Sequence, residues 1–308
     1  MSFLSRFSRT QLIIGGLLTY ATGVSAALTF FPSSSTVETS ASSSDDDNDA
    51  STRFPTESTR RSIFDNLAPS YDKNVGVLEY VLGIQRRRKR LLKQARGRVL
   101  EIASGTGRNI DYYPKGCCDE ITFSDFSEGM MEVLKKKVAE SDLGKRYDYQ
   151  LRREQQERMI QQQQQQQQQG GGSSSSSSSS PPPTPIKFVE TEIRFKIVNA
   201  AAIPYPDQSF DTVVDTFALC SFEDPVKVLQ EVKRVLRPGG QLLLLEHGNS
   251  EWKFLQDMQA SRLDQHVHKY GCYWNREIGQ LVQEAGLKVV QMERTQFGTV
   301  FYIVAEEQ

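Results

Sequence analysis

Short apolar runs with β-forming residues alternate along this chain with stretches of helical spacing. The runs are Val99–Ile102, Ile121–Asp125, Ile193–Val198, Thr212–Phe217, Gln241–Glu246, Leu287–Arg294 and Thr299–Glu306. Between them, Glu128–Glu140 reads as a helix with a charged extension to about Arg158. Arg276–Ala285 places Ile278, Leu281, Val282 and Ala285 on one face before Gly286, which suits a C-terminal cap. Strands alternating with helices predict an α/β fold with a doubly wound, mostly parallel sheet. The last two runs are joined by Thr295-Gln296-Phe297-Gly298, too short for a parallel crossover, so they predict an antiparallel hairpin at the C-terminal end of that sheet.

Other tracts follow neither pattern. Residues 32–60 are rich in Ser, Thr and Asp, with Phe54 almost alone as a large apolar residue, and predict a disordered linker. Residues 161–185 run through Gln, Gly, Ser and Pro and mark a low-complexity insertion at about 159–186. It falls between a helix and the following strand, and in an open α/β sheet such loops lie on the face opposite the ligand. A neutral disordered expansion is the expected reading, with partner binding by the Gln tract as the alternative. At the other end, residues 11–31 are 21 positions without a charge, preceded by Arg6 and Arg9 in a basic N-terminus of about ten residues. As a helix this segment would span about 32 Å, enough to cross a hydrocarbon core. A retained anchor, a signal or transit sequence cleaved near Val24-Ser25-Ala26, and a buried helix are the alternatives. For an anchor, the basic flank places the short N-terminus in the cytosol or matrix and the rest of the chain across the membrane. Of 308 residues, those from 61 onward remain to form one domain.

Candidate chemistry begins at Val99-Leu100-Glu101-Ile102-Ala103-Ser104-Gly105-Thr106-Gly107, a strand running into a glycine turn where backbone N–H groups can approach a ligand. Asp125 follows Gly105 by twenty positions, at the end of the next strand, where a carboxylate can accept hydrogen bonds from ribose hydroxyls. A dinucleotide site needs a third small residue at the sixth position of the turn. Ile110 stands there, so no pyrophosphate is implied.

With Asn199-Ala200-Ala201-Ala202-Ile203-Pro204-Tyr205-Pro206-Asp207, Leu219-Cys220-Ser221-Phe222-Glu223-Asp224-Pro225, Arg237-Pro238-Gly239-Gly240, Leu245-Glu246-His247-Gly248 and Gly271-Cys272-Tyr273-Trp274-Asn275, the glycine turn resembles the class I S-adenosylmethionine-dependent methyltransferases. Within that class it is most similar to the ubiquinone/menaquinone C-methyltransferase-like group and the membrane-anchored mitochondrial methyltransferase-like proteins of fungi. The resemblance covers about residues 61–308 apart from the insertion. It implies a Rossmann-like seven-stranded sheet with an antiparallel C-terminal strand. It also implies S-adenosylmethionine as cofactor and a mitochondrial, inner-membrane location, with the secretory pathway or another organelle as the alternative.

The resemblance places Glu101, Gly105 and Gly107 beside the methionine half of the cofactor, Asp125 at the ribose and Asn199 with Ala200 at the adenine edge. Asn199 departs from the Asp that many relatives carry. Tyr71 and Asp72 resemble the N-terminal segment that closes over the cofactor. Phe217–Ser221 and Glu246-His247 should line the acceptor pocket, with Phe217 near the cofactor. His247 is the general-base candidate, because imidazole titrates near neutral pH; a hydrogen-bonded structural histidine is the plainer alternative. Methyl transfer needs an in-line approach and a desolvated sulfonium, so orientation carries much of the catalysis. No Asp/Asn-Pro-Pro-aromatic tetrapeptide follows the fourth strand, which speaks against a nucleobase amine as acceptor. The expected acceptor is a small, amphipathic or membrane-associated molecule such as a quinone precursor or lipid. A cofactor-binding, catalytically idle protein that assists assembly of other complexes is the alternative.

A net charge of −1 argues against a general nucleic-acid binder. Arg86, Arg87, Arg88, Lys89, Arg90, Lys93, Arg96 and Arg98 nonetheless crowd residues 86–98, as a solvated helix face or a contact for anionic lipid headgroups. RNA is a poorer third reading, since no aromatic platform accompanies the charges. Four cysteines, two adjacent at Cys117 and Cys118, form neither a disulfide framework nor a zinc spacing and read as packing residues. His266 and His268 would point in different directions on a helix, so no metal site is expected.

Overall fold

A computed structural model describes residues 55–145, Met159 and 191–307. The segments read as an anchor (11–31) and as a low-complexity insertion lie outside the described residues, apart from Met159, and no helix among the described residues is long and apolar enough to cross a membrane. Chain order is α1 (Glu57–Leu67), α2 (Tyr71–Val81), α3 (Ile84–Leu92), β1 (Gly97–Glu101), a 3₁₀ turn (Ile110–Tyr112), β2 (Cys118–Asp125), α4 (Glu128–Glu140), β3 (Glu192–Ile197) and β4 (Phe210–Thr216). Then follow α5 (Pro225–Val235), β5 (Leu236–His247), α6 (Lys253–Ser261), α7 (Leu263–Tyr270), α8 (Ile278–Glu284), β6 (Lys288–Thr295) and β7 (Val300–Glu306).

The seven strands form one sheet in the order β3-β2-β1-β4-β5-β7-β6. β1 to β5 pair in parallel, and β7 runs antiparallel to both β5 and β6, so the expected fold and its C-terminal hairpin are observed. Both faces are covered. Val99, Phe123, Leu243 and Leu245 pack on one side, while Leu100, Val213, Leu242 and Leu244 pack on the other with Val228, Leu229 and Val232 of α5. Burial on both faces is why these strands read as continuous apolar runs rather than alternating ones. β5 begins earlier than the run Gln241–Glu246: Leu236 already pairs with Phe210, and the register shift before Thr212 accommodates Arg237–Gly240. Ser127 caps α4 through Met130 N, Asp224 caps α5 through Lys227 N ahead of Pro225, and Gly286 at φ 78° follows α8.

The expected linker at residues 32–60 ends too late. Thr56 accepts a hydrogen bond from Thr59 N as the N-cap of α1, and Arg60 is 3% exposed, donating to Pro55 O (2.6 Å) and pairing with Glu223 (3.0 Å). The folded domain therefore starts by Pro55 rather than at residue 61. Polar composition suggested disorder, but an arginine can be buried where its guanidinium is paired.

Candidate active site

The sheet order reverses between β1 and β4, and the crevice at their carboxyl ends is where an open α/β sheet receives a ligand. The turn leaving β1 is forced into the left-handed region at Ala103 (φ 45°), Gly105 (φ 55°) and Gly107 (φ 79°). The two glycines differ in role. A Cβ at Gly105 would meet nothing within 4 Å, so this turn leaves open space beside its backbone. A Cβ at Gly107 would come to 3.1 Å from Leu134 and 3.4 Å from Ile110, so Gly107 serves helix packing.

Above the turn lies a cavity of about 380 Å³, within the size range of small-ligand sites. Tyr71, Gly105, Asp125, Asn199, Ala200 and Phe217 line it; Glu101, Gly107 and His247 do not. Asp125 is buried at the end of β2, accepting from Gly105 N (2.7 Å) and Ser127 N (2.8 Å). Burial raises its pKa to about 6 despite the backbone N–H groups of Ser127, Gly105 and Phe126 that favour its charge. A carboxylate has about four acceptor positions, so these three amides leave about one for a ligand's hydroxyl. This donor set and the open face at Gly105 fit the ribose-bearing cofactor that the turn suggests.

Other expected residues have partners of their own. Glu101 turns from the cavity to Tyr113 Oη and Asn109 Nδ2, and burial lifts its pKa to about 7 against those hydrogen bonds. These bonds tie it to the segment that follows the turn. Asn199 spends its Nδ2 on Glu57 (2.8 Å) and its Oδ1 on Ala201 N (2.8 Å), which leaves the backbone of Ala200 as the simpler contact for an adenine edge. Tyr71 stands at the start of α2, its hydroxyl pKa raised by burial. Asp72 accepts from Thr106 Oγ1 (2.7 Å) and Arg108 (3.1 Å) and pairs with Lys137. Burial alone would raise its pKa, yet the hydrogen bonds from Lys137, Thr106 and Arg108 hold it lower.

The basic segment is not uniformly a surface. Arg88 is 4% exposed and lines the cavity, donating to Glu79 (2.8 Å), Asn109 Oδ1 (2.9 Å) and Thr216 Oγ1 (2.7 Å) while lying 4.9 Å from the Phe217 ring. Arg98 lies over Phe210 and pairs with Glu120, and Arg90 pairs with Glu293. Arg86, Lys89, Lys93 and Arg96 remain exposed. In sequence Arg88 is one basic residue among eight; only the helical phase of α3, which also buries Ile84, Leu91 and Leu92, could have singled it out.

At the far end, Phe217 (φ 62°) packs its ring 4.5 Å from that of His247. His247 is solvent-accessible yet crowded by protein, which pulls its pKa down; the neighbouring Cys220 outweighs this and leaves it raised. Because His247 does not line the cavity, the geometry gives no support to the general-base expectation. Asp215 and Glu246 are buried together, and desolvation pushes both pKa values up. Cys220 and Cys272 do not merely pack: their Sγ atoms and a His247 ring nitrogen all lie within 4.8 Å of one another.

Residues 78–292 match the family described as "Methyltransferase domain". The chain is 30% identical to "Methyltransferase OMS1, mitochondrial" of Saccharomyces cerevisiae over 80% of this chain and 46% of the yeast protein. It is 29% identical to human "Thiol S-methyltransferase TMT1B" over 66% of each chain, and 28% identical to "Demethylmenaquinone methyltransferase" of Renibacterium salmoninarum over 60% of this chain and 57% of that protein. The chain thus spans about half to two thirds of the length of these relatives. A solved S-adenosylmethionine-dependent methyltransferase from Leishmania major shares the fold, with a TM-score of 0.50 at 12% identity over 80% of this chain and 82% of that one. The sheet order, the glycine turn with Asp125 beside it, and the family match together establish that this chain belongs to the class I S-adenosylmethionine-dependent methyltransferases.

Proposed function

We propose that this chain binds S-adenosylmethionine in the crevice above β1 and β4 and transfers its methyl group to a small, amphipathic, membrane-associated acceptor. The observation that carries the reading is the buried Asp125 carboxylate, fixed by Gly105 N and Ser127 N and lining the cavity beside the open face of Gly105. Asp125 would take the ribose hydroxyls, Gly105 and Tyr71 the methionine side, and Asn199 and Ala200 the adenine edge. Phe64, Phe126, Phe217 and Phe222 also line the cavity, which suits an aromatic or alkyl acceptor such as a quinone precursor. The family relatives named for demethylmenaquinone and for thiols make those two acceptor classes the first to assay.

Membrane association rests on residues 11–31 and on the exposed part of the basic segment. On α2, Val77, Tyr80 and Val81 are each more than 70% exposed, and α3 follows directly with exposed Arg86, Lys89 and Lys93. Apolar side chains beside basic ones suit a surface of anionic lipid. The yeast relative's name supports a mitochondrial location.

Calorimetric titration of the full chain with S-adenosylmethionine and with NAD tests the cofactor; saturable binding of NAD alone would overturn the reading. Transfer of a radiolabelled methyl group to demethylated quinones or alkyl thiols tests turnover. Tight cofactor binding with no transfer to either class, or to a mitochondrial lipid extract, would favour a catalytically idle assembly role.

A further inference from the structure

We propose that Cys220, His247 and Cys272 form a mononuclear site for a thiophilic transition-metal ion, with zinc the ion that the donor set suits. Two sulfurs and an imidazole nitrogen lie within 4.8 Å of one another. Zinc bonds of about 2.3 Å to sulfur and 2.0–2.1 Å to nitrogen place tetrahedral donors roughly 3.5–3.8 Å apart, so modest side-chain adjustment closes the group on one ion. No carboxylate belongs to the group, and a soft sulfur–imidazole set disfavours magnesium and calcium.

The three residues come from separate segments that the fold fastens together. Cys220 lies in the loop after β4, His247 ends β5, and Cys272 follows Gly271, whose φ of 67° ends α7. Tyr273 N donates to Cys220 O (2.7 Å), and the Arg276 guanidinium donates to Leu219 O (2.6 Å) and Phe222 O (2.7 Å). These bonds clamp the Cys272 loop to the Cys220 loop through backbone carbonyls, so the two thiols are held together before any ion arrives. Such preorganisation lowers the ordering cost of binding.

Both cysteines are buried, whereas His247 is exposed. A three-ligand site of this kind leaves one coordination position on the open side, for water or for a sulfur donor. Binding converts the two thiols to thiolates and releases their protons to solvent. This inference is independent of the acceptor proposed above, and its failure would leave the cofactor reading intact.

The test is metal content of the full chain, purified in reductant without chelator, reconstituted with zinc chloride and dialysed. About one zinc per chain is expected, lost in Cys220→Ser and in Cys272→Ser, weakened at least tenfold in His247→Ala, and retained when Cys117 and Cys118 are both changed to Ser. Circular dichroism checks that each variant folds. Should the serine variants unfold, cobalt substitution of the wild-type chain decides: sulfur-to-cobalt charge-transfer bands support the site and their absence overturns it. Substoichiometric zinc after reconstitution, unchanged zinc in both serine variants, or a Cys220–Cys272 disulfide found by mass spectrometry in the native chain would each overturn it as well.

Discussion

The two edges of the sheet differ in how they hold charge. Along the carboxyl edge, Glu101, Asp125, Asp215 and Glu246 are buried with raised pKa values. Along the amino edge the charges are paired and partly in water: Asp211 accepts from Arg98 N (2.7 Å) and pairs with Arg237 (2.8 Å), while Arg194 pairs with Glu192. Desolvated carboxylates cost free energy, and such costs persist where a site uses them. The contrast favours the carboxyl edge as the working one without reference to any relative.

The largest effect is expected from Asp125→Ala. Losing hydrogen bonds from ligand hydroxyls to a charged acceptor, about 1.5–3 kcal/mol, should weaken S-adenosylmethionine binding between about tenfold and a hundredfold in calorimetric titration. A 2′-deoxyribose analogue should lose less, and equal losses for both ligands would remove Asp125 from the ribose. A solvent-facing carboxylate at this strand end would leave the unliganded protein's melting temperature unchanged, but the structure predicts a fall. The substitution strands the Gly105 and Ser127 amides, both bonded to Asp125.

Acid should sharpen the same contrast. Asp125 titrates near 6 in the folded chain and 3.8 is its ordinary value, with Asp65 of α1 adding to the upward push of burial. The ionised form is therefore disfavoured by folding. That cost is full above about pH 6, shrinks as pH falls through 6, and is gone below about 3.8. Cofactor hydroxyls need the ionised carboxylate, so affinity should fall about tenfold per pH unit below 6 while this contribution to apo stability moves the other way. The melting-temperature difference between wild type and Asp125→Asn should depend on pH in that window, and a flat difference would contradict the assignment.

At the amino edge effects should be small. Arg237→Ala removes a partly exposed ion pair and should cost on the order of 1 kcal/mol or less in denaturant unfolding, with cofactor affinity unchanged. Smallest of all is the expected effect of deleting Gln161–Pro183. The chain re-enters β3 at Glu192, opposite Glu120, at the end of the ladder remote from Asp125, which faces Ile197. Cofactor affinity should be unaltered, and a tenfold loss in a folded deletion variant would mean that the amino edge is not the passive one.

Much of the carboxyl edge near β1 and β2 was legible because its chemistry is local: a strand, a glycine turn and a carboxylate twenty residues on. The C-terminal hairpin was legible because four residues cannot span a crossover. The partners of Glu101 were not legible because spacing gives a residue's position but not its contacts, and Tyr113 and Asn109 each bond one of its oxygens. Cys220, His247 and Cys272 are separated by 27 and 25 positions, a spacing with no local signature, and only the β4–β5 ladder and the Arg276 bonds bring them together. Arg60 and Arg88 escaped notice for a related reason: composition assigns arginine to the surface, whereas Glu223 and Glu79 draw these two inside.

The first helix also bears on how the molecule comes into being. Asp65 on α1 accepts from Ser127 Oγ (2.5 Å) and Gly129 N (3.0 Å), and Arg60 waits for Glu223, 163 residues later in the chain. Domains begin to fold as the chain emerges from the ribosome, N-terminal parts first. Here α1 meets its first partners once β2 has been made, and Glu223 only after β4. Arg60 and Glu223 both line the crevice, so a nascent chain handed to a translocation machinery before Glu223 is synthesised would travel with that wall of the crevice unfastened.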